Sequence, residues 1–93
     1  MRGFRFFEEF EDGALDESTG NVIAIPAVEA SFVQPGGICF QVICAPPEAR
    51  LPNSPVRPAY VNVEYLGKRC RRITEVRARA IHPRLFEYLE KLA

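Results

Sequence analysis

The stretch 60-YVNVEYLGKRCRRI-73 decides the fold, because it satisfies two periodicities at once. Val61, Val63 and Tyr65 alternate as a strand does, while Val63, Leu66, Cys70 and Ile73 recur at the spacing of a helical stripe. At 100° per residue those four positions fall within one arc of about 80°. Asn62 is a suitable N-cap, since its amide oxygen can accept from an otherwise orphaned backbone N–H. Gly67 in the interior costs roughly 1 kcal/mol relative to alanine, which weighs the other way. The balance favours a helix over residues 62–72, and that choice makes the second half of the chain helical.

Upstream of the stretch the patterns are those of strands. In "FRFFEEF" (4–10), Phe4, Phe6 and Phe10 share one face, with Arg5, Phe7 and Glu9 on the other. Phe7 spoils a one-sided alternation, so the second face is expected to be partly covered. "EDGALDESTGN" (11–21) reads as a solvated hairpin loop. Its carboxylates Glu11, Asp12, Asp16 and Glu17 do not follow the alternating-oxygen pattern of a calcium loop. "NVIAIPAVEASFV" (21–33) reads as a strand interrupted or bulged at Pro26. "QPGG" (34–37) is a turn. A phosphate cradle needs a helix N-terminus after the glycines, and here the strand-like "ICFQVICA" (38–45) follows instead.

"APPEARLPNSPVRPA" (45–59) holds five of the eight prolines and reads as a stiff extended connection. Pro52, Pro55 and Arg57 satisfy the P-x-x-P-x-R pattern of polyproline ligands, a pattern short enough to arise by chance in any such loop. Downstream of the ambiguous stretch, Thr74 can cap a short helix over 75–81 with Glu75 in its first turn. Pro83 suits the first position of a last helix, on which Leu85, Tyr88, Leu89 and Leu92 converge and Glu87 and Lys91 form an i, i+4 pair. The expected fold is α+β: an N-terminal antiparallel β-meander of three or four strands, a Pro-rich connection, and two or three short C-terminal helices packed on the sheet. It makes a single domain over 1–93, with a sheet half (1–45), a crossover (46–59) and a helical half (60–93).

The chain's 93 residues are 47% hydrophobic and 26% charged, a globular composition. No apolar run approaches the ~20 residues of a membrane span, and "MRGFRFFEEFEDG" lacks the apolar core of a signal peptide. Three cysteines, odd in number, fit a reducing, cytoplasmic setting better than a disulfide scaffold. Cys39 and Cys44 lie five apart on one strand and so point to opposite faces. A zinc site from Cys39, Cys44, Cys70 and His82 therefore lacks the required spacing; the thiols are expected to act as small hydrophobes. No metal or cofactor is expected.

Nor is catalysis. His82, the only histidine, directly precedes Pro83 and is expected to cap or pack at the mouth of the last helix. No serine sits in a nucleophile elbow, paired carboxylates occur only in the acidic loop, and the Walker and Rossmann fingerprints are absent. The chain reads as a non-enzymatic protein.

The net charge of zero conceals a gradient. Residues 1–48 hold 2 basic and 8 acidic side chains, a formal −6, and residues 49–93 hold 10 basic and 4 acidic, a formal +6. Lys68, Arg69, Arg71, Arg72, Arg77, Arg79 and Arg84 form the candidate partner-binding set. Two functions follow. The first is a protein-interaction or regulatory module that self-associates, as a homodimer for instance, or docks on a protein partner through opposite charges. The alternative is nucleic-acid binding through the basic helical surface 68–84. Against the alternative, the last helix would present Arg84, Glu87, Glu90 and Lys91, which sum to zero. No membrane partner is expected. The two readings part on whether the arginines share one open face or are divided among carboxylates.

Overall fold

Asn62 is where the ambiguous stretch divides. Strand β5 (Arg57–Asn62) ends there and helix α1 (Val63–Arg69) begins, with the Asn62 side chain accepting from Glu64 N at 2.8 Å. The helix stops three residues short of the expected end. Cys70 onward forms a strand, β6 (Cys70–Ile73), which pairs antiparallel with β1 (Phe4–Glu11). The expected helix over 62–72 is thus corrected to a capped helix of about two turns followed by strand. The computed structural model describes residues 3–12, 14–27, 31–47 and 56–92.

The reason lies in the spacing itself. Three residues apart, Cys70 and Ile73 share a face on a helix but lie on opposite faces of a strand. Cys70 packs with Ile23, Ile25, Val42 and Leu66 on one side of the sheet, whereas Ile73 packs with the Phe6, Val22 and Leu85 cluster on the other. A two-sided sheet uses both apolar positions and gives β1 a partner on its outer edge.

The remaining strands are β2 (Ala14–Pro26), β3 (Ser31–Gln34) and β4 (Gly37–Ala45), and every pairing is antiparallel. Six strands replace the three or four expected, and two of them come from the half read as connection and helix. The loop expected over 11–21 is also corrected, since β2 begins at Ala14 and pairs with β1 as Glu11↔Ala14 and Phe10↔Ser18 through irregular register. Its polar residues hid the strand because the hairpin end is solvated: Asp16, Glu17 and Ser18 are exposed. The expected interruption at Pro26 is found, β2 ending there and β3 resuming at Ser31. Gly36 and Gly37 close the β3–β4 turn at φ +105° and +127°, backbone that favours glycine. Pro52 and Pro55 of the polyproline pattern lie outside the described residues.

β2 and β3 share one edge of β4, and β5 occupies the other: Phe40 pairs with both Ser31 and Val61. The sheet runs β5–β4–(β3, β2)–β1–β6. Were it flat, β5 and β6 would lie four strand spacings apart, ~19 Å at ~4.8 Å each. The connection between them is α1, seven residues long, which spans only about 10 Å. The sheet therefore coils around the face that α1 covers, as right-handed twist and the irregular register near Glu8 and Phe10 allow. That concave face holds Ile23, Ile25, Val42, Leu66 and Cys70, with Phe7 packed against them, as the broken alternation of 4–10 implied.

The convex face carries Phe6, Val22, Ala24, Ile43 and Ala45 beneath helices α2 (Glu75–Ile81) and α3 (Pro83–Leu92). Both helices match the sequence expectation. Thr74 Oγ1 accepts from Arg77 N at 3.1 Å, and Ala78, Leu85, Phe86 and Leu89 are buried. His82 joins α2 to α3 and is buried, with Nε2 2.6 Å from the Pro46 carbonyl oxygen. Since a carbonyl only accepts, Nε2 carries the proton.

Candidate functional site

The seven basic residues do not compose one open surface. Arg77 reaches over the convex face and holds Glu8 with a two-pronged fork, Nε to Oε1 at 3.2 Å and Nη2 to Oε2 at 3.1 Å. Glu8 is 3% exposed. Burial alone pushes its carboxyl up, but hydrogen bonds from Arg77 and from the Ser18 hydroxyl outweigh that and hold it below its ordinary value of 4.5. Lys68 pairs with Glu64 and Arg79 with Glu75, both one helical turn apart. Arg79 also lies over the Phe86 ring, 4.1 Å from its centroid. Arg69 donates from Nε to the Phe10 carbonyl at 3.0 Å and stacks on Tyr65. Arg71 lies over the Phe10 ring, and Arg84 is exposed in the first turn of α3. Arg72 is exposed and has no hydrogen bond, ion pair or ring contact among the described residues.

Three of these contacts join the basic half to the acidic one: Arg77 on Glu8, Arg69 on the Phe10 carbonyl and Arg71 over the Phe10 ring. The register sets Arg71 opposite Glu8 and Cys70 opposite Glu9. Tyr65 O–H donates to Glu9 Oε2. Burial, together with that bond to a carboxylate, pushes the Tyr65 phenol up to about 12. Among the exposed charges are an acidic hairpin tip, with Asp12, Asp16 and Glu17, and the adjacent Arg71 and Arg72 on β6.

Two clefts flank this region. A polar one of about 320 Å³ is lined by Glu9, Glu11, Asn21, Cys44, Arg57 and Arg69, with Pro46 and Pro47 as one wall. Cys44 Sγ donates to Asn21 Oδ1 at 3.3 Å, and burial raises its thiol. Burial likewise pushes Cys70 up to about 11. Neither thiol is poised as a nucleophile at neutral pH. Cys39 and Cys44 point to opposite faces of β4, pairing with Asn62 and Arg57 respectively. Among the described residues no group of three or more His, Cys, Asp and Glu is placed to hold a metal. The second cleft, about 340 Å³, is apolar and lies on the convex side between Phe4, Pro26, Ile43, Pro58, Tyr88 and Leu92.

No local spacing announced the polar cleft. Glu9, Asn21, Cys44 and Arg57 come from four strands, and Arg57 sits in the Pro-rich stretch 55-PVRP-58.

No family model, curated protein or solved structure matches the chain. Its class is that of a small α+β protein, a coiled antiparallel sheet with one helix across its concave face and a helix pair on its convex face. No described helix is long and apolar enough to cross a membrane.

Proposed function

We propose that the protein is a non-enzymatic, cytoplasmic interaction module that self-associates through complementary charge. One observation carries this reading. The acidic tip of the β1–β2 hairpin (Asp12, Asp16, Glu17) and the basic pair on β6 (Arg71, Arg72), the strand that pairs with β1, are both exposed. A two-fold axis passing between them sets the tip of each copy on the arginines of the other, a self-complementary contact. Each exposed pair contributes no more than about 1 kcal/mol, so the dimer is weak and salt-sensitive.

Sedimentation velocity tests it. A reversible dimer at low salt should give way to monomer at about 1 M salt, where the screening length falls to ~3 Å. Arg71→Glu with Arg72→Glu should abolish the dimer, and mixing that chain with Asp16→Lys/Glu17→Lys chain should restore a mixed one. A strict monomer at high concentration and low salt ends the proposal.

A further inference from the structure

We propose that the polar cleft binds a small zwitterion of amino-acid or dipeptide size, its carboxylate on Arg57 and its ammonium on Glu9. Both side chains line the same cleft, yet they form no ion pair with each other. The Arg57 guanidinium has no hydrogen bond among the described residues, and neither has Oε1 of Glu9. Opposite charges that face one cavity without meeting leave a gap, and a molecule carrying both charges bridges it. Arg57 and Arg69 together would repel a simple cation, and Glu9 and Glu11 a simple anion, so neither is as well matched as a zwitterion.

The groups are also held in place before any ligand arrives. Tyr65 fixes Glu9 Oε2, and Thr19 Oγ1 donates to the Glu9 carbonyl at 3.3 Å while accepting from Asn21 N at 3.1 Å. Arg57 is set by its register opposite Cys44. The Pro46 wall is tied down by the buried His82. Such preorganisation lowers the ordering cost of binding. The volume of about 320 Å³ lies at the lower end of the range for small-molecule sites, which suits a ligand of this size. The cleft shares no residue with the charged surfaces of the proposed dimer.

The test is calorimetric titration and 1H–15N NMR of the whole chain with three probes: L-alanyl-L-alanine, its N-acetylated form and its C-terminal amide. The unmodified dipeptide should bind with shifts centred on Asn21, Cys44 and Arg57. Each blocked form should bind roughly tenfold or more weakly, the loss expected for one charge-assisted hydrogen bond. Arg57→Gln should lose the binding and keep the wild-type unfolding curve, because the guanidinium makes no hydrogen bond among the described residues. Three results would each overturn the proposal. They are no response to the dipeptide at about 10 mM, equal binding of the blocked forms, and undiminished binding by Arg57→Gln.

Discussion

Replacing Arg77 with methionine removes the guanidinium fork on Glu8 while keeping much of the side chain's packing. The carboxylate left behind has 4% side-chain exposure. Breaking a buried pair on one side costs about 3–5 kcal/mol. Here the arginine side chain itself is 55% exposed, so water reaches the vacated position and the loss falls to about 2–3 kcal/mol. For a domain of this size that is a drop of ~10–20 °C in Tm. Urea unfolding across a pH series reads the mechanism as well as the magnitude. The Glu8 carboxyl is held below its ordinary value of 4.5 when folded. It therefore binds protons less readily folded than unfolded, and the stability it contributes is complete above about pH 4.5 and lost as pH falls through the folded value. In Arg77→Met only the Ser18 hydroxyl still opposes burial, so that acid-linked loss should shrink. The double variant Glu8→Met/Arg77→Met should recover most of the stability, since no buried charge remains. A single-variant loss below about 0.5 kcal/mol, with the acid limb of the pH profile unchanged, would refute the reasoning.

Gly20 has φ +83° and a Cβ there would sit 2.8 Å from Pro47 Cβ, so Gly20→Ala should cost about 2–4 kcal/mol in urea unfolding. Gly67 lies inside α1 with nothing within 4 Å of an added Cβ, and Gly67→Ala should instead stabilise by about 0.5–1 kcal/mol. In a Tyr60→Phe/Tyr88→Phe background, ultraviolet titration should show Tyr65 ionising near pH 12, and a midpoint near 10 would contradict the Glu9 contact. His82→Ala removes a buried ring and the donor to Pro46, and chemical unfolding should register a loss of about 3 kcal/mol.

Local chemistry carried much of the fold. Asn62 and Thr74 cap helices, Pro83 opens α3, and Pro26 ends β2, because each effect depends on a residue and its near neighbours. Alternation over 4–10 and 38–45 placed two strands and assigned Phe7 a covered second face. The sequence by itself therefore determined the class, α+β with an antiparallel sheet, the last two helices, and Cys39 and Cys44 on opposite faces.

Only the tertiary structure decided the rest. Cys70 to Ile73 satisfies a helix or a strand equally well until β1 offers an edge with apolar clusters on both faces. The polar stretch 14–21 becomes strand because the β1 backbone pairs with it, whatever its side chains prefer. Glu8 and Arg77 are 69 residues apart, and Glu9, Cys44 and Arg57 reach one cleft from three strands. No periodicity records such meetings, because they follow from the coiling of the sheet. The charge gradient was legible from composition alone; how far it is neutralised within one chain was settled by which side chains the coil brought together.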